Sequence, residues 1–158
     1  MRSGPATKRS LSPDPVYQDI LVTRIVNRVM KDGKKTVAEK QIYKMLDILS
    51  RKQEKDSVIF LKEVVESLKP QMEVRARRIG GAAYQVPSPV RGDRREALAI
   101  RWLINAANDR PNKEYHTFAE KMVAELMDAV AGQGAAMKKK LDMHRMAEAN
   151  KAFAHFRW

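Results

Sequence analysis

The sequence predicts a mainly helical single domain of about six helices, with a protruding two-stranded β-hairpin ribbon and extended basic termini. Three observations predict it. Apolar residues recur at helical spacing over several separate stretches. One stretch, at about residues 72–87, changes to strict alternation around a Gly-Gly pair. Finally, 31 Lys and Arg stand against 19 Asp and Glu in 158 residues, a formal charge of +12 that exceeds any need for solubility and points to a polyanionic partner.

Residues 1–18 carry Pro5, Pro13 and Pro15 with scattered Lys8 and Arg9 and no periodicity, which predicts an extended arm that orders on a partner. Val22, Ile25, Val26, Val29 and Met30 then recur at helical spacing, with Arg24, Arg28 and Lys31 on another face and Gly33 as the stop. Thr36 and Glu39 have capping-box spacing, in which hydroxyl and carboxylate satisfy the unpaired amides of a helix start, and Ala38, Ile42, Met45, Leu46 and Leu49 continue the period. After a polar connector over 50–55, Val58, Leu61, Val64, Val65 and Leu68 predict a third helix ended by Pro70.

In the ribbon, Met72, Val74 and Ala76 alternate with Glu73, Arg75 and Arg77, and Ala82, Tyr84 and Val86 alternate beyond Gly80-Gly81. A two-residue loop would set Ala76 opposite Gln85. One extra residue sets it opposite Val86 and gathers the apolar side chains on one face, so the pattern predicts a bulged or three-residue loop. Asp93 and Glu96 have the spacing of a second capping box, opening a helix with Ala97, Ile100, Ile104 and Ala107 inward as far as Pro111. Thr117 and Glu120 cap a fifth helix bearing Phe118, Met122, Val123, Leu126 and Val130. Gly132 and Gly134 separate it from a sixth over about 135–147. The body thus runs over 19–148, and residues 149–158 read as a basic, aromatic tail.

Several chemistries are excluded or disfavoured. Without cysteine there are no disulfides, thiolate metal sites or Cys nucleophiles. His116, His144 and His155 lack zinc-type spacing and suit the surface or the tail. Gly33-Lys-Lys-Thr36 is like the end of a phosphate-binding loop, but Arg28 stands where that motif needs glycine. No catalytic constellation or cofactor loop assembles, so the expectation is a non-enzyme without cofactor or metal. The apolar runs are far too short to span a bilayer and the polar start is no signal peptide, predicting a soluble, cytoplasmic-type protein with no membrane partner.

The charge is uneven. Residues 20–50, 71–95 and 131–158 each carry a net +4, whereas residues 96–130 carry −2, so helices four and five are expected inside or turned from the polyanion. The ribbon segment uses six arginines and no lysine: Arg75, Arg77, Arg78, Arg91, Arg94 and Arg95. A lone arginine is most often a solvated side chain, but six on one hairpin and its exit suit bidentate phosphate binding and base stacking. Tyr84, Phe153, Phe156 and Trp158 are the aromatics in basic surroundings, with packing of Tyr84 on the body an equal alternative to stacking.

Five blocks carry a family resemblance. They are Asp14-Pro-Val-Tyr17, Met30-Lys-Asp-Gly-Lys-Lys35, the ribbon over 74–87, Arg101-Trp-Leu103 and the end of the chain from His144 to Trp158. Through them the chain resembles the small-subunit ribosomal protein S seven family, bacterial type, over nearly its full length. The resemblance implies binding to the 3′ major domain of small-subunit rRNA and nucleation of the head. It also implies a ribbon and C-terminal helix near exit-site tRNA and the mRNA exit path. Arg77, Arg78, Gly80, Gly81, Tyr84 and Arg145 take that second role by position. Lys34, Lys35, Arg91, Arg94 and Arg95 inherit rRNA contact, and the further basic positions expected to join them are Lys8, Arg9, Arg24, Arg28, Arg75, Lys113, Lys138, Lys139 and Lys140. Neighbouring proteins of the head and platform, protein eleven among them, are the implied protein partners.

The alternative is an architectural DNA-binding protein using the ribbon as a minor-groove arm. Such arms place proline or another apolar wedge at the tip. Here the tip is Ile-Gly-Gly-Ala, with Pro87 and Pro89 back at the base.

Overall fold

The computed structural model describes Gly4 and residues 10–53 and 55–157. Its elements are α1 (Ile20–Val29), α2 (Lys35–Lys52), α3 (Ser57–Leu68), β1 (Met72–Ile79), β2 (Ala82–Pro89), α4 (Gly92–Asp109), α5 (Phe118–Val130), α6 (Ala135–Ala149) and a terminal 3₁₀ helix (Lys151–Phe156). The expected fold class is what forms: a helical body with one antiparallel hairpin. Ile25, Ile42, Met45, Leu46, Leu49, Leu61, Leu68, Leu103, Met122 and Leu126 are fully buried, so each of the first five helices turns one apolar stripe into a common core. Helix α4 packs against α1, α3, α5 and α6, which explains why its segment carries little exposed positive charge. Two residues assigned to these stripes fall outside them, since Ala97 and Val130 are exposed.

The helix starts divide according to what holds the chain ahead of them. Asp19 accepts from Leu21 N at 2.7 Å, Asp56 accepts from Val58 N at 2.7 Å, and Thr117 with Glu120 forms the expected capping box. The other two expected boxes do not form. Asp32 and Gly33 both have positive φ, Lys35 N donates to Gly33 O, and α2 begins at Lys35 without a side-chain cap. Thr36 therefore lies inside the helix, and Glu39 faces Lys35 at 3.5 Å instead. At α4 the extended Arg91 precedes Gly92, and Arg94 N and Arg95 N both donate to Arg91 O. Asp93 is left in the first turn, and Glu96 pairs with Arg24 at 2.6 Å.

The hairpin register also differs from expectation. Gly80 and Gly81 form a two-residue loop with φ of 57° and 91°, as a type I′ turn requires, and Ala76 pairs with Gln85 while Arg75 pairs with Val86. Gathering the apolar residues on one face would help only if that face met a core. Ala76, Ala82 and Ala83 are exposed, so turn geometry sets the register. Only the base of the ribbon is buried, and there the expected inward set inverts on β1, where Glu73 is buried while Met72 and Val74 are half-buried; on β2 Val86 is buried as expected.

The base of the N-terminal arm is tied down. Asp14, 4% exposed, accepts from Val16 N and Tyr17 N at 3.1 Å each and from the Tyr43 hydroxyl at 2.9 Å, and the Thr23 hydroxyl donates to Ser12 O at 3.0 Å. Partial burial and the Asp14 carboxylate push the Tyr43 hydroxyl up to about 12, which keeps it a donor.

At the other end α6 packs against β1 and α4. His144, expected at the surface or in the tail, is half-buried and accepts from Gln71 N through Nε2 at 3.1 Å. Burial, and then the nearby Lys140 ammonium, lower its pKa below the ordinary 6.5. A protonated imidazole cannot accept that bond, so stability is complete above pH 6.5 and is lost as pH falls towards the depressed native value. Thermal unfolding followed from pH 7.5 to 5 should show this loss in the parent chain, and His144→Gln should flatten it.

Candidate nucleic-acid interface

The ribbon base and the α4 N-terminus enclose a concavity of about 940 Å³, walled by Arg75, Arg77, Arg91, Arg94 and Arg157. The register of the hairpin puts Arg75 and Arg77 on the same face as their cross-strand partners Val86 and Tyr84, and the short extended connection after Pro89 brings Arg91 and Arg94 up beside them. Glu73 holds two of these groups. Arg94 Nε donates to its two oxygens at 3.0 and 2.8 Å, and Arg75 Nε donates to Oε1 at 2.5 Å. Both guanidinium groups stay about half exposed.

The concavity is not isolated. Asp93 lines it and also lines a hollow of about 480 Å³ with Arg24, Arg28, Arg101 and Leu11. Arg28 in turn lines a cleft of about 390 Å³ with Lys31, Lys34, Gln41, Asn105 and Asn108. A basic track therefore runs from the ribbon base along α4 and α1 to the α1–α2 turn. Six of the expected rRNA-binding residues lie on it: Arg24, Arg28, Lys34, Arg75, Arg91 and Arg94. Arg77, expected near tRNA, lies there too.

Other expected residues lie elsewhere. Arg95 is half-buried and donates from Nε to Val90 O at 3.0 Å, which fastens the ribbon exit to α4. Lys35 faces Glu39, and Lys113 is exposed in the α4–α5 connection. On α6, Lys138 and Lys139 are exposed, Lys140 donates to Ser67 O, and Arg145 is 81% exposed beside Asp142 at 3.7 Å. Arg78, Gly80 and Gly81 are exposed at the ribbon tip. Lys8 and Arg9 lie outside the described residues.

The aromatic residues meet one another. Tyr84 sits 5.3 Å, centroid to centroid, from both Phe153 and Phe156, so the 3₁₀ helix docks on β2 and delivers Arg157 to the concavity. Tyr84 thus packs on the aromatic residues of the 3₁₀ helix and is no free stacking platform; Trp158 lies outside the described residues. Sequence reasoning had no place for Glu73, Arg101, Asn105, Asn108 or Arg157 in the site. For Glu73 the signal was present, as the only carboxylate within a strand otherwise rich in arginine.

Comparison with known proteins closes the question of family. The family model described as ribosomal protein S7p/S5e matches residues 1–151. The small ribosomal subunit protein uS7 of Nitratidesulfovibrio vulgaris is 54% identical over 157 residues, covering 99% of both chains. That of Fervidobacterium nodosum is 51% identical over the whole of both, and that of Granulibacter bethesdensis is 52% identical over 155 residues, 97% of this chain and 96% of its own. With a concave arginine site on a helical body and half its residues shared with such relatives end to end, the chain belongs to the ribosomal protein S7p/S5e family.

Proposed function

We propose that this chain, as a structural, non-enzymatic constituent of the small ribosomal subunit, binds the 3′ major domain of the small-subunit rRNA along its basic track and so nucleates head assembly. The observation that carries the reading is the continuity of that track. Guanidinium and ammonium groups from the ribbon, α4, α1 and the α1–α2 turn face three adjoining hollows rather than scattering over the surface. Double-helical or folded RNA offers closely spaced phosphates, and concave basic walls collect them with release of counterions.

The division of labour in this reading is the one the family resemblance implies. The ribbon base anchors rRNA, while Arg78, Gly80 and Gly81 at the tip, with Tyr84 and Arg145, serve exit-site tRNA and the mRNA path. Lys138 and Lys139 on α6 bind RNA outside the track, and Lys8 and Arg9 add to RNA binding. Protein eleven and other head and platform proteins are the neighbours.

The test is competition. The full chain should bind a folded head-domain rRNA fragment at physiological salt in the presence of excess duplex DNA, with affinity falling by about 0.9 log unit per log unit of salt for each duplex phosphate neutralised. Displacement by the DNA would favour the architectural DNA-binding alternative and end the ribosomal assignment of the track.

A further inference from the structure

Glu73 is 4% exposed and lies behind the wall of the concavity, bonded to two of the arginines that line it. Simple electrostatics makes it a liability, since a carboxylate subtracts charge from a site built to attract phosphate. What it does to its partners points the other way. Arg94 gives its Nε to both carboxylate oxygens, and Arg75 gives Nε and a terminal nitrogen to one of them. A guanidinium is a rigid planar fork, so fixing its Nε edge fixes the plane and direction of the remaining donors.

The terminal nitrogens of Arg94 have no hydrogen-bond partner among the described residues, and its side chain is 50% exposed on the wall of the concavity. Ser88, paired with Glu73 across the ladder, lines the same wall, and its Oγ also lacks a partner among the described residues. Two oriented forks thus line one space, with an unpartnered hydroxyl buried behind them. Such a set suits a phosphate whose position is defined, not merely a region of negative charge.

We propose that Glu73 is a positioning residue for rRNA specificity: it orients Arg75 and Arg94 towards one backbone phosphate and lowers attraction to RNA in general. The inference rests on the rRNA-binding reading above. Charge and orientation predict opposite signs, which makes it testable. Glu73→Gln keeps shape and one acceptor but removes the charge that holds the two forks. If the carboxylate only dilutes positive charge, all RNA should bind the variant more tightly. If it positions, the arginines regain rotamer freedom that binding must remove again, and only the cognate RNA loses.

The experiment compares affinities of the full chain for a head-domain rRNA fragment and for poly(U), with thermal unfolding recorded alongside. Glu73→Gln should bind the rRNA fragment about tenfold more weakly, the loss of one charge-assisted bond, and poly(U) equally or more tightly. In a chain already carrying Arg75→Ala and Arg94→Ala, the same substitution should change rRNA affinity less than about twofold. Tighter or unchanged binding to both RNAs, equal weakening for both, or a full loss retained in the Arg75→Ala, Arg94→Ala background would each overturn the proposal. Glu73→Asp, which keeps the charge but shortens the reach, covers the case of a Gln variant that does not fold. It should weaken rRNA binding and spare poly(U), and parental rRNA affinity would overturn the proposal. Failure of the underlying reading shows separately, as a parent chain that does not prefer the rRNA fragment to poly(U).

Discussion

Arg91→Glu combined with Arg94→Gln should weaken binding to head-domain rRNA by on the order of several hundredfold, while shifting thermal unfolding by no more than a few degrees. Arg91 is exposed at the mouth of the concavity, and Arg94 is half exposed on its wall. Each charge-assisted bond to phosphate contributes about 1.5–3 kcal/mol, and the introduced carboxylate adds repulsion. Gln at 94 still donates a hydrogen bond to Glu73, which protects the fold. The salt slope should also become shallower, by about 0.9 for each duplex phosphate that is no longer neutralised. Arg78→Glu is the matching control. It reverses a charge at the exposed tip, away from the concavity, and should change rRNA affinity less than about threefold if the ribbon base is the anchor. A loss from Arg78→Glu as large as that from the Arg91 and Arg94 pair would refute the separation of anchor from tip.

Glu125→Ala should be the most damaging single substitution for stability. Glu125 is 1% exposed and accepts from Arg110 Nε at 2.9 Å, Arg110 Nη2 at 2.7 Å and Ala136 N at 2.9 Å. It therefore joins the end of α4, the middle of α5 and the first turn of α6. Gly134 passes so close that a Cβ there would lie 2.8 Å from Glu125 Oε1, in a backbone with φ of +93°. Burial opposes the charge on Arg110, but the Asp128 and Glu125 carboxylates raise its pKa further, so the cation cannot neutralise itself when Glu125 is lost. Breaking one side of such a buried pair costs about 3–5 kcal/mol. Against a total of about 5–15 kcal/mol for a domain, that should lower the melting temperature by roughly 10 °C. Calorimetry of Glu125→Ala beside Asp128→Ala checks this. The Asp128 side chain is 47% exposed, so its loss should cost much less, and equal losses would place the weight of the network elsewhere.

Much of the fold was legible because it is written in local periods. Val22, Ile25 and Val26, or Met122, Val123 and Leu126, fall on one helical face whatever the rest of the chain does, and all are buried. The Thr117–Glu120 box was legible too, because Thr117 stands in extended backbone at the residue where the helix begins. Thr36–Glu39 and Asp93–Glu96 have the same spacing, but the helices begin ahead of them, at Lys35 and Gly92, once the turns at Asp32-Gly33 and Arg91 set the chain direction. Residue spacing alone does not contain that information.

The site was legible in kind and only partly in place. Clustered arginines identified the ribbon and its exit, yet which of them face one space depends on a register that the turn decides. Arg24 and Arg28 meet the ribbon arginines only through α4, and Arg95 turns inward to a carbonyl. The carboxylates that organise the molecule, Glu73 and Glu125, find partners 21 and 15 residues away, distances at which local pattern has no signature. Buried charge stabilised by distant opposite charge is the class of interaction that sequence reading detects last.

The docking of the terminal 3₁₀ helix on the ribbon has a consequence for the order of events in time. Tyr84 and Phe153 are roughly 70 positions apart, so their meeting closes a long loop, while the two strands of the ribbon are joined by only two residues. The hairpin rests on pairing between adjacent strands, whereas contacts of the helical body such as α2 on α5 close loops of similar length. Arg157 reaches the concavity only when the loop between Tyr84 and Phe153 closes, so the anion site is completed after the hairpin that frames it.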